Sequence, residues 1–412
     1  MVQAASPHLA SPHLASPHRA GRFAAAGVVV LIAFNLRPSL SSIGPVLNEA
    51  MRDLHLSAGG AAWLTTAPVL CLGLFGPLAP ALARRLGIER TVLLALAAVA
   101  LGTALRGGGG FAPLLAGSLL AGAGVGMANV LMPGLLKRDF PHGLALLTGL
   151  YTMALCLGAA VAAGATAPLC LALGGDWALA LAAWALPALL AMAVAALVWR
   201  RRIGPGAGAG MAGLRRVGGL LRDPLAWQVT LYMGLHSALA YSVFAWLAPV
   251  LRSRGDSPVT AGLVVSVSIL AQTAASLPVP LLAARLRHQS MPAAAVMLLT
   301  VGSFLGLLWA PLAWQWALAV MLGVGMGGAF ALALMLIVQR AADGHVAAAL
   351  SSMAQGVGYT LAAGGPLLVG VLHDATGDWS GAAMLFAVAG GVAALAGALA
   401  GRARLVGAAA LA

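Results

Sequence analysis

Apolar stretches of about twenty residues recur along nearly the whole 412-residue chain, separated by short loops that hold most of its basic side chains. A run of that length crosses the hydrocarbon of a bilayer as a helix, because each backbone N–H and C=O must then be satisfied inside the segment. Only 8% of the residues are charged and 61% are hydrophobic, too little polar surface to coat a soluble globule of this size. The pattern predicts an all-α membrane protein with twelve transmembrane helices, near 22–46, 59–82, 90–106, 111–136, 143–170, 177–199, 225–251, 259–284, 291–310, 315–338, 347–372 and 380–401. The third is short, and its end runs into the glycines Gly107 to Gly110.

Charge sets the orientation, since cytoplasmic loops retain Lys and Arg. Eighteen of the 23 Lys and Arg residues fall on one side, among them Arg84, Arg85 and Arg90 after the second span and six arginines between the sixth and seventh. The other side has only Arg52, Arg106, Arg252 and Arg254. The expectation is a multi-pass protein of the cytoplasmic (inner) membrane with both termini inside. The net charge of +13 then reads as topology anchors facing anionic lipid, with no nucleic-acid partner. Cys71, Cys156 and Cys170 lie in spans, so neither a disulfide framework nor a zinc site is indicated, and no cofactor is expected. Residues 1–21 contain three near-copies of Ser6-Pro7-His8-Leu9-Ala10 and read as a disordered cytoplasmic tail, because a proline every fifth residue blocks a regular helix.

A repeat of about 201 residues runs through the chain. Pro77-Leu78-Ala79-Pro80 through Arg84 matches Pro278-Val279-Pro280-Leu281 through Arg285, and Gly124-Val125-Gly126-Met127-Ala128 matches Gly325-Met326-Gly327-Gly328-Ala329. Two pseudo-symmetric six-helix bundles follow, 22–199 and 225–404, joined by a basic, Gly/Pro-rich cytoplasmic linker at 200–224, with 405–412 as a C-terminal tail. That layout resembles the major facilitator architecture, in which a site lies near the midplane between the halves. Asn35-Leu36-Arg37-Pro38 through Gly44-Pro45, then Leu64-Thr65-Thr66-Ala67-Pro68 through Pro77-Leu78-Ala79-Pro80, resembles the signature of the cyanate and 2-nitroimidazole transporter family. The resemblance implies cyanate-like anions or nitroimidazole-like rings as substrates. One departure from the wider superfamily stands out: Arg84 occupies the place of the aspartate in the usual loop motif between spans two and three, leaving Glu89 as the acid that could substitute.

Arg37 is the one Asp, Glu, Lys or Arg that the expected boundaries place deep inside a span. An ionisable group at that depth marks a function by default. Pro38 has no N–H for the carbonyl of Phe34, which predicts a kink beside the arginine. All ten acids fall in loops or at span ends, so Arg37 has no carboxylate partner to neutralise it and a substrate could bring the missing charge. The competing reading is an arginine that braces the kink through backbone carbonyls. Helical spacing adds Ser41 on the face of Arg37, and Asn35 belongs to the same motif. Stripes at helical spacing add Asn129 on the fourth span, Tyr151 on the fifth, Gln272 on the eighth, and Gln355 with Tyr359 on the eleventh, each of them either a site-lining group or interhelical glue. Span seven carries Tyr232, His236 and Tyr241. The 201-residue offset sets His236 opposite Asn35, whereas matching Pro45 to Pro249 sets Tyr241 opposite Arg37. His236 is open to two readings, a proton carrier or a neutral ring hydrogen-bonded between helices.

Gly122-Ala123-Gly124-Val125-Gly126 follows no strand and lacks the lysine and hydroxyl of a phosphate loop, so no nucleotide site is expected. No metal site, His–Glu pair, paired aspartates or Cys–His pair occurs in the spans, which argues against an intramembrane enzyme. The function expected is secondary transport of a small anion or planar nitrogenous solute by alternating access, with no oligomer required. A broad drug exporter is the alternative within transport, and a non-transporting sensor the alternative outside it.

Overall fold

The computed structural model describes residues 17–140, 144–200, 220–342 and 344–406. Twelve helical segments there are long and apolar enough to cross a membrane: Phe23–Asp53, Ala58–Phe75, Ile88–Gly108, Phe111–Leu136, Gly149–Ala172 and Trp177–Trp199, then Pro224–Ser253, Pro258–Ala284, Ser290–Trp309, Leu312–Gln339, Ala349–Thr376 and Ser380–Ala400. They are spans 1 to 12 below. The expected short third span continues in a 3-10 turn at Arg106–Gly108, so it runs partway into the glycine run and ends where Gly109 takes a left-handed backbone. The described residues open in a helix at Pro17, inside the stretch read as a tail. Residues 1–16, 201–219 and 407–412 lie outside the described residues, and with them most of the expected tails and linker.

The repeat written in the sequence reappears as matched packing. Ser57 caps span 2 by accepting the Gly60 N–H at 3.1 Å, and Ser257 caps span 8 by accepting the Thr260 N–H at 3.0 Å. Side-chain acceptors at that position satisfy N–H groups that the first helical turn leaves free. Gly122 and Gly126 of span 4 seat against the backbone of Pro68 and Leu72 in span 2, and Gly323 and Gly327 of span 10 seat against Ser268 and Gln272 in span 8. A Cβ at any of these four would overlap or crowd the opposing main chain. Lipid gives helices no hydrophobic drive to associate, so close backbone approach across small residues supplies the contact that holds each bundle. Gly124 against span 3 and Gly325 against span 9 repeat the device once more.

The two halves are fastened at the end of the bundle away from the chain termini. Arg252 at the end of span 7 pairs with Glu49 at the end of span 1, Nη1 to Oε2 2.7 Å. Asp374 at the end of span 11 accepts the backbone N–H groups of Ala58 and Gly59 at 2.8 and 2.6 Å, capping span 2 from the opposite half. At the same end Gly44 of span 1 lies so near the Phe244 carbonyl of span 7 that only a glycine fits. A carboxylate on a helix N-terminus joins a charge-assisted hydrogen bond to a favourable dipole.

Candidate functional site

Span 1 is a helix in four pieces. Its first segment ends at Leu36, a single turn follows at Pro38–Ser41, a 3-10 turn at Gly44–Val46, and a last helix at Leu47–Asp53. Pro38 cannot donate to the Phe34 carbonyl, and Gly158 of span 5 packs onto that freed oxygen where any Cβ would collide with it. The Arg37 carbonyl takes the Leu40 N–H at 2.9 Å and the Ser41 N–H at 3.2 Å, which closes the turn beyond the break. Irregular backbone at this depth is found where it is enclosed by protein or lines a polar pathway. Val30, Leu31, Phe34 and Arg37 are half-buried while Val29, Ile32, Ala33, Asn35 and Leu36 are buried, so one stripe at helical spacing keeps partial exposure and Arg37 belongs to it.

Around the Arg37 guanidinium stand Tyr241, Tyr359, Cys156 and Tyr151, and the Tyr241 hydroxyl is within hydrogen-bonding reach of it. Three of the chain's four tyrosines thus converge on one cation, from spans 5, 7 and 11, so both halves contribute. Tyr241 and Tyr359 meet edge to face with ring centroids 6.4 Å apart. The Tyr151 hydroxyl donates to Asn129 Oδ1 at 3.3 Å, which ties span 4 to the cluster and turns the phenol oxygen's lone pairs away from Asn129. Gln355, one turn before Tyr359 on the same face, donates to the Ser351 hydroxyl at 2.8 Å. Tyr241, Tyr359 and Tyr151 thus stand around Arg37, Asn129 joins them through Tyr151, and Gln355 lies one turn from Tyr359 with its amide on Ser351.

The other expected site residues go elsewhere. Tyr232 is fully buried, its hydroxyl donates to the Ala293 carbonyl at 3.3 Å, and its ring lies on Gly397, so it packs between spans 7, 9 and 12. It precedes Tyr241 by nine residues, half a helical turn out of phase, and a helix that turns Tyr241 to Arg37 must turn Tyr232 away. His236 places Nε2 2.9 Å from the Met326 carbonyl of span 10, beside the Phe330 ring, while Nδ1 is buried without a partner. Ser41 donates to the Ala159 carbonyl at 3.0 Å, fastening the broken turn to span 5. Asn35 donates to the Leu31 carbonyl at 2.8 Å, one turn back on its own helix, and leaves Oδ1 buried and unpaired. Gln272 is half-buried on span 8 where its backbone receives Gly327.

Charge inside the bundle is not confined to Arg37, contrary to the sequence expectation. Arg106, expected as the last residue of the third span, is fully buried and donates Nη1 to the Ser39 carbonyl at 2.7 Å, so this arginine braces the broken turn of span 1. Glu89 is buried in the first turn of span 3 and pairs with Arg138 at the end of span 4, 2.5 Å, while Arg138 Nε reaches Asp139 at 2.8 Å. Burial pulls the Arg138 guanidinium down, but hydrogen bonds and charge from Asp139 and Glu89 outweigh it and hold it above its ordinary range.

Acids are spent away from the site. Glu49 pairs with Arg252, Asp53 accepts the Trp177 indole N–H, and Glu89 and Asp139 hold Arg138. Asp176 and Asp223 cap the helices that follow them, Asp256 meets Gln315, Asp374 caps span 2, and Asp378 binds Ser380. Asp343 lies outside the described residues. Among the described residues no carboxylate stands within ion-pair distance of Arg37.

The sequence profile of the Major Facilitator Superfamily matches residues 26–363. The chain is 39% identical over 376 residues to the "2-nitroimidazole transporter" of Escherichia coli (strain K12), covering 91% of this chain and 94% of that protein. It is 31% identical over 353 residues to the "Cyanate transport protein CynX" of the same strain, covering 85% and 90%. Among solved structures, the inward open conformation of the xylose transporter XylE from E. coli superposes with a TM-score of 0.68 at 14% identity, over 91% of this chain and 95% of that one, a likeness of fold. The chain belongs to the major facilitator superfamily and, within it, to the cyanate and 2-nitroimidazole transporter family; it is a multi-pass secondary transporter of a small molecule.

Proposed function

We propose that this transporter carries a small anion or a planar nitrogenous solute, cyanate-like or nitroimidazole-like, and that Arg37 is its principal recognition group. The observation that carries the reading is a guanidinium in the centre of the bundle, half-buried, faced by Tyr241, Tyr359 and Tyr151 from both halves, with no carboxylate in ion-pair reach among the described residues. A guanidinium offers a planar fork of donors that matches a flat or linear anion, and the low dielectric around it strengthens each contact. Tyr241 accepts from Arg37 and keeps its O–H for the solute. Tyr359 adds a second hydroxyl, and the edge-to-face rings flank a flat ligand. Asn129 is a positioning residue, acting through Tyr151. The names of the two relatives, one a 2-nitroimidazole transporter and one a cyanate transport protein, support the same solute class.

The basic loops put both termini in the cytoplasm, so the fastened end, where Glu49 meets Arg252 and Asp374 caps span 2, is the outer one. Alternating access then consists of breaking these contacts and closing the opposite end around a site fixed between the halves. A solute shifts that balance only through contacts that differ between the two states, and Tyr241 and Tyr359 on one half against Arg37 on the other supply them. The test is counterflow in proteoliposomes with labelled cyanate and labelled 2-nitroimidazole, challenged by small anions and by lipophilic cations. Competition by anions and azoles supports the reading. Competition by the cations alone points to a drug exporter and defeats it.

A further inference from the structure

In a carrier that reorients around a central site, whatever charge the site holds must pass through a closed, dehydrated state. Arg37 cannot shed its proton, because a guanidinium stays protonated in proteins. Taking an unpaired cation through such a state is costly unless a counter-charge accompanies it. Three sources could provide one: a protein carboxylate, a neighbouring group that ionises, or the solute. The nine acids among the described residues are engaged elsewhere, and the tenth, Asp343, falls between spans 10 and 11 in the sequence. The tyrosine hydroxyls give dipoles and not charge, and His236 is turned to the Met326 carbonyl of span 10. The Cys156 thiol also stands at Arg37, and a Cys156→Ser variant, whose hydroxyl does not ionise, is expected to keep exchanging solute; loss of exchange in that folded variant would make the thiol the counter-charge. The solute is left.

We infer that the carrier exchanges one monoanion for another, because the bound anion completes the charge of Arg37 and lets the halves reorient while the unloaded carrier is held back. This rests on the reading of Arg37 as the solute site. The outer contacts add to the restraint: the Glu49–Arg252 pair and the Asp374 cap must open together before the site can face outward, and an anion already bound between the halves offsets their loss. The valence follows from counting cations. Arg106 is fully buried with Nη1 on the Ser39 carbonyl, whereas Arg37 is half-buried, so of the two guanidiniums Arg37 is the one left accessible to a solute. A dianion would carry one charge unpaired into the closed state.

The experiment uses the full chain in proteoliposomes loaded with labelled cyanate or labelled 2-nitroimidazole, whichever counterflow accepts, at an alkaline pH where the imidazole N–H is lost and both are monoanions, and diluted into medium with or without the unlabelled compound outside. Efflux is expected to be at least tenfold faster with the unlabelled monoanion outside, whereas external sulfate gives no acceleration. Exchange of like monoanions moves no net charge, so a potassium diffusion potential set with valinomycin leaves the exchange rate within twofold. Equal efflux with and without external anion overturns the inference, as does acceleration by sulfate or net accumulation driven by the potential. Absence of counterflow for both probes removes the reading of the site itself, and is told apart because no labelled flux is then seen under any condition.

Discussion

Replacing Gly158 by alanine tests whether the break in span 1 is what sets Arg37 in place. The added Cβ would fall inside hydrogen-bond distance of the Phe34 carbonyl oxygen and 2.8 Å from its carbon, where ordinary contact begins at 3.4 Å. The carbon must retreat by about 0.6 Å and the oxygen by more, so spans 1 and 5 part by a sizeable fraction of an ångström or bend. Phe34 sits three residues before Arg37, and the guanidinium shifts with it relative to Tyr241 and Tyr359. Overpacking of this kind costs about 1–3 kcal/mol of stability. A misplacement on the order of 1 Å in a positioned site weakens its action by up to about a hundredfold. Gly302→Ala is the control, since nothing lies within 4 Å of its added Cβ. Counterflow kinetics and detergent thermal melting on both variants are the assay. The expected result is a KM raised tenfold or more and a lowered Tm for Gly158→Ala, with Gly302→Ala like the parent. A Gly158→Ala carrier with parental KM and Tm would refute the claim that this contact positions the site.

Other consequences are equally concrete. Asp374→Asn weakens the cap on span 2 by about 1–2 kcal/mol, charge-assisted bonds being worth roughly twice neutral ones; a spin-label pair on the outer ends of spans 2 and 11 should gain a longer-distance population, and an unchanged distribution would contradict the fastening. Arg106→Met leaves the buried Ser39 carbonyl without its donor at a cost of about 1–3 kcal/mol, so Tm should fall while the parental preference for anions over cations persists. His236→Gln should leave trans-stimulated exchange within threefold of the parent, because His236 meets span 10 and not Arg37; loss of exchange with folding intact would give the imidazole a part in the cycle. Glu89→Gln strips a buried carboxylate from Arg138, and Tm should drop at neutral pH in low salt.

Much of the architecture was legible because a bilayer permits so few solutions. Runs of apolar residues, basic loops on one side and a 201-residue offset lead to twelve spans in two halves, and the glycine and serine pairs at that offset turn out to be the contacts that build each half. Arg37 and its proline were legible for the same reason, a charge where charge is expensive. Span 7 was harder. It is enclosed by protein nearly all round, so its polar residues carry no sign of which neighbour each one meets, and Tyr232, His236 and Tyr241 looked equivalent. Spacing decides it only once one of them is fixed. The offset itself slips from 201 to 204 near Arg37, since span 1 is broken by a 3-10 turn and span 7 is not. Cys156 gave no signal at all, and the Asp374 cap joins residues too far apart in sequence for any local pattern to register.

The central claim is that Arg37 recognises the solute by its charge and its donor geometry. Equilibrium binding of labelled cyanate and 2-nitroimidazole to purified parent, Arg37→Gln and Arg37→Lys protein tests it most directly. Loss of a charge-assisted contact of about 2–4 kcal/mol predicts binding weakened thirtyfold or more in Arg37→Gln, with Arg37→Lys in between, and an undisturbed Tm in both. Parental affinity in a folded Arg37→Gln protein would contradict the account.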